Sequence, residues 1–398
     1  MRKHLLGLFS RQDGWKRFIK AGPITGVPFG SPAPDHLTET PQFGSNPGAL
    51  RMFSFVPAGL QDGCPLVVVL HGCTQSAASY DLGAGWSTLA ERFGFALLLP
   101  EQQRLNNPNG CFNWFQSGDI ERGHGEAASI RQMVMTMVSN HGIDPARVFV
   151  TGLSAGGAMT SVMLATYPEV FAGGAIIAGL PFGAATNVQQ AFETMRQCPP
   201  RPARAWGDLA RKASRHKGSW PRVSVWHGGA DGTVVPSNAA EIIKQWTDVH
   251  GVPVQPSFEA KVDGYPRQVW LNGEGEEMIE SYTITRMAHG TPLATGAADN
   301  QCGVAGPFLL EVGISSSYHI ARFFGLASAN GSVEHSRRSV PTAVLCMPNE
   351  TDRATASAEP LDGEVLDPNF WPHSKQPHPD IGAVITKALR TAGLLKSG

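Results

Sequence analysis

Residues 147–167 read RVFVTGLSAGGAMTSVMLATY and join a strand, a glycine-bracketed serine and a helix with no spare residue between them. Val148, Phe149 and Val150 form a short β-branched and aromatic run, the composition of a central parallel strand covered on both faces. After Ser154 the apolar residues Ala158, Met159, Val162, Met163, Leu164 and Ala165 recur at three- and four-residue spacing, and Tyr167-Pro168 ends the pattern. Between strand and helix lies Gly152-Leu153-Ser154-Ala155-Gly156, a G-x-S-x-G match. On so tight a turn the serine is held in strained backbone geometry, its hydroxyl stands clear of the sheet, and the amide after it points where an oxyanion would form. With 45 glycines in the chain the motif alone carries little weight. The strand before it and the helix after it make Ser154 a candidate nucleophile.

Working outward, the pattern becomes regular from Phe43. LRMFSFVP alternates as a half-buried strand, PLVVVL reads as a buried strand, WSTLAERFG as a short helix and FALLLP as a second buried strand. This is the start of a βαβ series, and so of a parallel sheet. A helix follows over 126–141 and ends at Gly142, after which Ile143-Asp144-Pro145 turns the chain into the nucleophile strand. AGGAIIAGLP makes the next strand. Residues 187–221 then change character: they are polar, basic and broken by proline, and fit either a cap insertion or a surface loop. The alternation resumes with a strand over 222–226 and a helix over 237–250. Strands over 268–270 and 278–285 flank the turn LNGEGEE, and a helix over 317–324 closes the core. The fold class is α/β, with a mostly parallel central sheet and helices on both faces. Residues 1–42 read as an arm and linker, 43–326 as the catalytic domain, and 327–398 as an irregular tail with a terminal helix over 381–395.

Composition narrows the function classes. The formal net charge of the 398-residue chain is −1, and no dense Lys/Arg block is present to neutralise a phosphate backbone, which argues against a nucleic-acid partner. No apolar run approaches the roughly 20 residues of a membrane-spanning helix. The opening MRKHLLGLFSRQ is basic and then apolar, but its apolar part is short and no small-residue cleavage site follows, so it is not read as a signal peptide. Trp15, Phe18 and Ile19 lie on one side of a possible basic helix there, suited to docking on the protein itself or to a membrane surface. The six cysteines are too scattered for a zinc site, and an even count permits disulfides.

A serine nucleophile needs a base, and the base an orienting carboxylate, in the chain order Ser, Asp, His on such a sheet. Asp231 follows the strand RVSVW in HGGADGTVVP, at the carboxyl end of a strand, where these sheets build their sites; a turn or helix-cap aspartate is the structural alternative. His289, in RMAHGTPL, is the histidine downstream of Asp231 that terminates a strand. The second oxyanion amide should come from the loop LHGCTQ at 70–75. Cys73 is its expected donor, with Thr74 as the alternative, alongside the amide of Ala155. His71 and Gly72 are expected to shape the turn.

HGCTQ, CFNWF at 111–115, IDPARVFVTGLSAGGAMT, HGGADGTVVP and MAHGTPL, in this order, resemble the polyhydroxybutyrate depolymerase-type esterases, relatives of feruloyl and acetylxylan esterases. The resemblance covers roughly residues 40–325. It implies an α/β-hydrolase fold, a serine-esterase triad of Ser154, Asp231 and His289, and no metal or cofactor. It also implies that the loop carrying Cys111 and Trp114 borders the active site, where Trp114 would offer an apolar wall or else pack in the core. The implied substrate is a polyester or small ester: 3-hydroxybutyrate polyester or its oligomers first, feruloyl or acetyl esters of plant polysaccharide second. A non-catalytic binding module is the alternative of another class. The tail does not resemble the linker and polymer-binding domain often carried by secreted depolymerases of this group, so amorphous polymer or soluble oligomers are the expected form. The family's association with export implies an extracellular location, against which stands a cytoplasmic one. Finally, Cys73 and Cys111 lie on loops that should emerge on the same face of the sheet. They are expected to pair in an oxidising compartment and to remain reduced thiols otherwise.

Overall fold

In the computed structural model of the chain, residues 36–327 are described. Residues 1–35 of the expected N-terminal arm, with its amphipathic helix, and nearly all of the tail with its terminal helix lie outside them. Residues 36–42, expected as linker, instead carry a short strand that joins the sheet, because Thr38 pairs with Ser54 and Glu39 with Phe53. The chain divides into two units, Met1–Leu326 and Ala327–Gly398, and the fold below belongs to the first.

In chain order the elements are β1 (Thr38–Glu39), β2 (Arg51–Phe55), β3 (Cys64–Leu70), α1 (Ala77–Ala84), α2 (Trp86–Phe93), β4 (Ala96–Glu101), α3 (Ser117–Ile120), α4 (Gly125–His141), β5 (Ile143–Leu153), α5 (Ala155–Thr166), β6 (Gly173–Ile177), α6 (Val188–Arg196), α7 (Ala203–Ser214), β7 (Arg222–Gly228), α8 (Ser237–His250), β8 (Phe258–Val262), β9 (Tyr265–Leu271), β10 (Glu277–Ile284), β11 (Thr291–Leu293), β12 (Leu309–Glu311) and α9 (Ser316–Phe323). One ten-stranded sheet runs β1-β2-β4-β3-β5-β6-β7-β10-β9-β8, and β11 pairs with β12 in a small second sheet. The six central strands from β4 to β10 are parallel, and the outer ones are antiparallel.

The two-residue period of a strand decides what each side chain meets. On β5, Val148 and Val150 join the main core cluster with Leu66, Val68 and Leu70 of β3. Phe149 faces the other way and stacks on Phe324, just past α9, at 4.5 Å between ring centroids. Both faces of the sheet are therefore covered, which explains why β3 is buried along its whole length. The strand β5 begins at Ile143 rather than after a turn at 143–145, because Ile143 already pairs with Cys64 before the register shifts at Leu66.

Local capping sets several helix ends. Ser76 and Ser79 form a reciprocal capping box at the start of α1, a helix that periodicity alone did not suggest. The segment 187–221 contains α6 and α7, so it is not simply a loop. Asn187 caps α6 through the N–H of Gln190, and α7 lays Trp206 and Ala210 inward. The end of α6 is fastened to the loop after β7 by the Val235 N–H, which donates to the Met195 carbonyl (2.9 Å). No described helix is long and apolar enough to cross a membrane.

Candidate active site

Ser154 sits where β5 passes into α5, with φ 57° and ψ −114°. A non-glycine residue in this region carries strain and persists only when its surroundings fix it. Here its N–H donates to the Ile177 carbonyl at the end of β6 (2.9 Å), and its carbonyl accepts from Ala158 (2.8 Å). The glycine at 156 is needed for close approach: a Cβ there would meet the carbonyl oxygen of Leu70 and lie 2.6 Å from that of His71. The start of α5 is thus pressed against the exit of β3, and any side chain at 156 would push the 70–75 loop away.

Asp231 and His289 come together from separate strand ends. The loop after β7 is stitched to that after β10 by Gly229 N–H to the Ile284 carbonyl and Ala230 N–H to the Met287 carbonyl, both 2.9 Å. Asp231 Oδ1 accepts from the backbone N–H groups of Thr233 (2.8 Å) and Val234 (2.9 Å). Its Oδ2 lies 2.7 Å from His289 Nδ1. Burial acts to raise the Asp231 pKa, but hydrogen bonding by His227 and His289 prevails and holds the carboxyl well below the usual carboxylate range. An ionised Asp231 can only accept, so Nδ1 of His289 carries the proton and Nε2 keeps its lone pair, the tautomer a general base requires. Both side chains are buried. The turn or cap contacts of Asp231 and its pairing with His289 use different oxygens and coexist. A second histidine, His227, also adjoins the carboxylate. Its Nε2 lies 3.5 Å from Asp231 Oδ2 and 2.8 Å from the Val234 carbonyl. Its place in the quoted HGGAD run is the signal that could have marked it.

The 70–75 loop is built from below. His71 is buried, its Nδ1 donates to the Gly72 carbonyl (2.8 Å) and its Nε2 accepts from Gln102 N–H (3.1 Å), so it shapes the turn. The Gly72 N–H is taken by Gln75 Oε1 (2.9 Å). The Thr74 N–H, the alternative oxyanion donor, is already given to the Asn109 carbonyl (2.8 Å), which favours Cys73 for that role. Cys73 is bonded to Cys111, with Cα atoms 4.3 Å apart. The bridge closes a separation of 38 residues and constrains the unfolded chain by about 4 kcal/mol in the chain-entropy model. Replacing both cysteines with serine should lower unfolding stability by about that amount in urea titration. An unchanged midpoint would show that the bridge contributes nothing.

Beneath the disulfide lies a polar cluster that sequence reasoning passed over. Gln102 Nε2 donates to the Cys111 carbonyl (3.0 Å) and to the Glu126 carboxyl, whose other oxygen accepts from Asn113 N–H (2.8 Å). Desolvation by burial, then the neighbouring Asp119 carboxylate, push the Glu126 carboxyl up to about 8. The folded state therefore keeps a proton that the unfolded chain releases near pH 4. The resulting stabilisation is whole below that value and is lost as pH rises to about 8, at up to about 1.4 kcal/mol per pH unit. Denaturant titrations between pH 5 and 8 should show stability falling with pH, and Glu126→Gln should flatten that slope. A slope unchanged in the variant would assign the dependence elsewhere. Trp114, between Asn113 and Phe115, is only 7% exposed, belongs to the main core cluster and meets Phe115 edge to face at 5.4 Å. Of the two roles open to it, packing is the one its burial supports.

All these loops leave the same edge of the sheet. Leu70 pairs with Gly152, Leu153 with Ile177, Ile177 with Trp226, and Gly228 with Ile284, so the exits of β3, β5, β7 and β10 stand side by side at the carboxyl ends. Among the described residues, no group of three or more His, Cys, Asp or Glu side chains is arranged to hold a metal ion.

The chain is similar in sequence and in fold to known esterases. The family described as esterase PHB depolymerase matches residues 51–258. Poly(3-hydroxyalkanoate) depolymerase C of Paucimonas lemoignei is 51% identical over 291 residues, 73% of this chain and 70% of that protein. An acetylxylan esterase of Coprinopsis cinerea is 33% identical over 282 residues, 66% of this chain and 72% of its own. Feruloyl esterase B of Thermothelomyces thermophilus is 32% identical over 252 residues, 61% and 84% respectively. Among solved structures, an acetyl xylan esterase from Aspergillus awamori superposes with a TM-score of 0.61 at 26% identity, covering 73% of this chain and 99% of that one. The match across more than half of the chain, together with a relative of this identity and coverage, shows that the chain belongs to the esterase PHB depolymerase family.

Proposed function

We propose that the protein hydrolyses carboxylic esters through an acyl-enzyme, with Ser154 as nucleophile, His289 as general base and acid, and Asp231 as the group that orients the imidazole. Ser154 Oγ attacks the ester carbonyl while its proton passes to His289 Nε2. The carbonyl oxygen, now an oxyanion, is held by the amides of Ala155 and Cys73. Collapse of the tetrahedral species breaks the bond to the alkoxy oxygen, which takes the proton from His289 and leaves as the alcohol. Water then repeats the sequence, releasing the acid and restoring Ser154. The observation that carries this reading is the buried 2.7 Å hydrogen bond from His289 to Asp231. It fixes the tautomer on the edge where strained Ser154 also stands.

The substrate we assign is 3-hydroxybutyrate polyester or its oligomers. Support comes from the 51% identity to a poly(3-hydroxyalkanoate) depolymerase, against 33% to an acetylxylan esterase and 32% to a feruloyl esterase. The Cys73–Cys111 disulfide favours an oxidising compartment and hence export. The test compares rates on amorphous polyhydroxybutyrate, methyl ferulate and acetylated xylan; hydrolysis confined to the last two would make the protein a polysaccharide esterase. Labelling with a fluorophosphonate should place one adduct on Ser154. An unlabelled protein would instead fit a binding module built on the same fold.

A further inference from the structure

The geometry points to Phe308 as a substrate-contacting residue that selects the alcohol half of the ester; this rests on the ester-hydrolase reading above. Three observations support it. The Phe308 ring stands edge to face against the His289 ring, 6.0 Å between centroids, and Phe308 is half-buried where both Asp231 and His289 are buried. Its backbone has φ 63°. It is the third residue of the Gly306–Leu309 turn, closed by Gly306 N–H to the Leu309 carbonyl (2.9 Å) and Leu309 N–H to the Gly306 carbonyl (3.0 Å). A third turn position with positive φ ordinarily takes glycine or asparagine, and a bulky aromatic there is strained.

That turn is also tied to the loop of the histidine. Thr291 N–H donates to the Phe308 carbonyl (2.8 Å), and Thr291 pairs with Leu309 where β11 meets β12. Gly290, next to His289, has no room for a side chain: a Cβ would lie 2.8 Å from the Phe308 carbonyl oxygen. The fold thus holds an unfavourable backbone conformation in place, and one result is an aromatic ring placed beside the imidazole. In ester cleavage that imidazole returns its proton to the departing alkoxy oxygen, so an apolar group beside it borders the alcohol rather than the acyl chain. A methyl-branched alkoxy carbon, as in a 3-hydroxybutyrate unit, would gain apolar contact there.

The experiment uses two ester series on the full chain. In one the acyl group is butyrate and the alcohol runs from methyl through isopropyl to sec-butyl; in the other the alcohol is methyl and the acyl chain is varied. Phe308→Ala should lower kcat/KM for sec-butyl butyrate by about 10-fold more than for methyl butyrate, the scale of a lost apolar pocket contact. Its order of preference among acyl chains should be unchanged. Phe308→Leu should recover most of the alcohol selectivity, and it carries the test alone if the alanine variant does not fold. A loss equal across all alcohols in either variant would make Phe308 a buttress for His289 and overturn the assignment. Failure of the underlying reading looks different, because Ser154→Ala would then hydrolyse both series like the parent.

Discussion

Ser154→Ala is expected to lower kcat for a short-chain ester by a factor on the order of 10⁵, with the melting temperature unchanged. The size follows from removal of the atom that forms the acyl bond, leaving only substrate binding and the oxyanion amides to act on water. The stability expectation follows from the backbone. The hydrogen bonds that hold residue 154, from its N–H to Ile177 and from Ala158 to its carbonyl, do not involve the hydroxyl. Alanine also meets the same positive-φ strain as serine. Steady-state kinetics and a thermal melt on the same preparation separate the two effects. Turnover within tenfold of the parent would remove Ser154 from the mechanism.

Asp231→Asn should cost about 10⁴-fold in kcat, and the structure indicates why a change of one atom does so. Thr233 and Val234 N–H groups both need an acceptor at the position of Oδ1. The asparagine oxygen is therefore held there, and its NH₂ is turned toward His289 Nδ1. A donor facing Nδ1 forces the imidazole proton onto Nε2, the atom that must accept from Ser154. The same substitution bears on acid stability. The Asp231 pKa lies below its unfolded value, so the stabilisation it confers is present above about pH 4 and lost as pH falls through the folded-state value. Denaturant titration should find the parent's advantage over Asp231→Asn larger at pH 7 than at pH 3. An asparagine variant with parental kcat would exclude the orienting role.

The mostly parallel sheet, the tight strand-to-helix turn at Ser154 and the places of Asp231 and His289 just past strand ends were legible in the sequence. They rest on local rules: two- and 3.6-residue periods, and a serine between glycines at a strand-to-helix junction. Short or weakly periodic elements were not legible. The helix α1 depends on a capping box rather than an apolar stripe, and α6 and α7 lie in a polar, proline-broken segment whose inward faces show only once α5 and α8 are in place. Long-range contacts account for the rest. His289 is one of 13 histidines, and its partner lies 58 residues away. Strand order could place the two at one edge, but only the stitched loops set their hydrogen bond and hence the tautomer. The proton on Glu126 and the contact of Phe308 with His289 had no sequence signal at all, and for Trp114, where an apolar wall and core packing were both open, only its burial distinguished them. Each depends on side chains from separate elements packing into low-dielectric surroundings, which exist only after the sheet has brought those elements together.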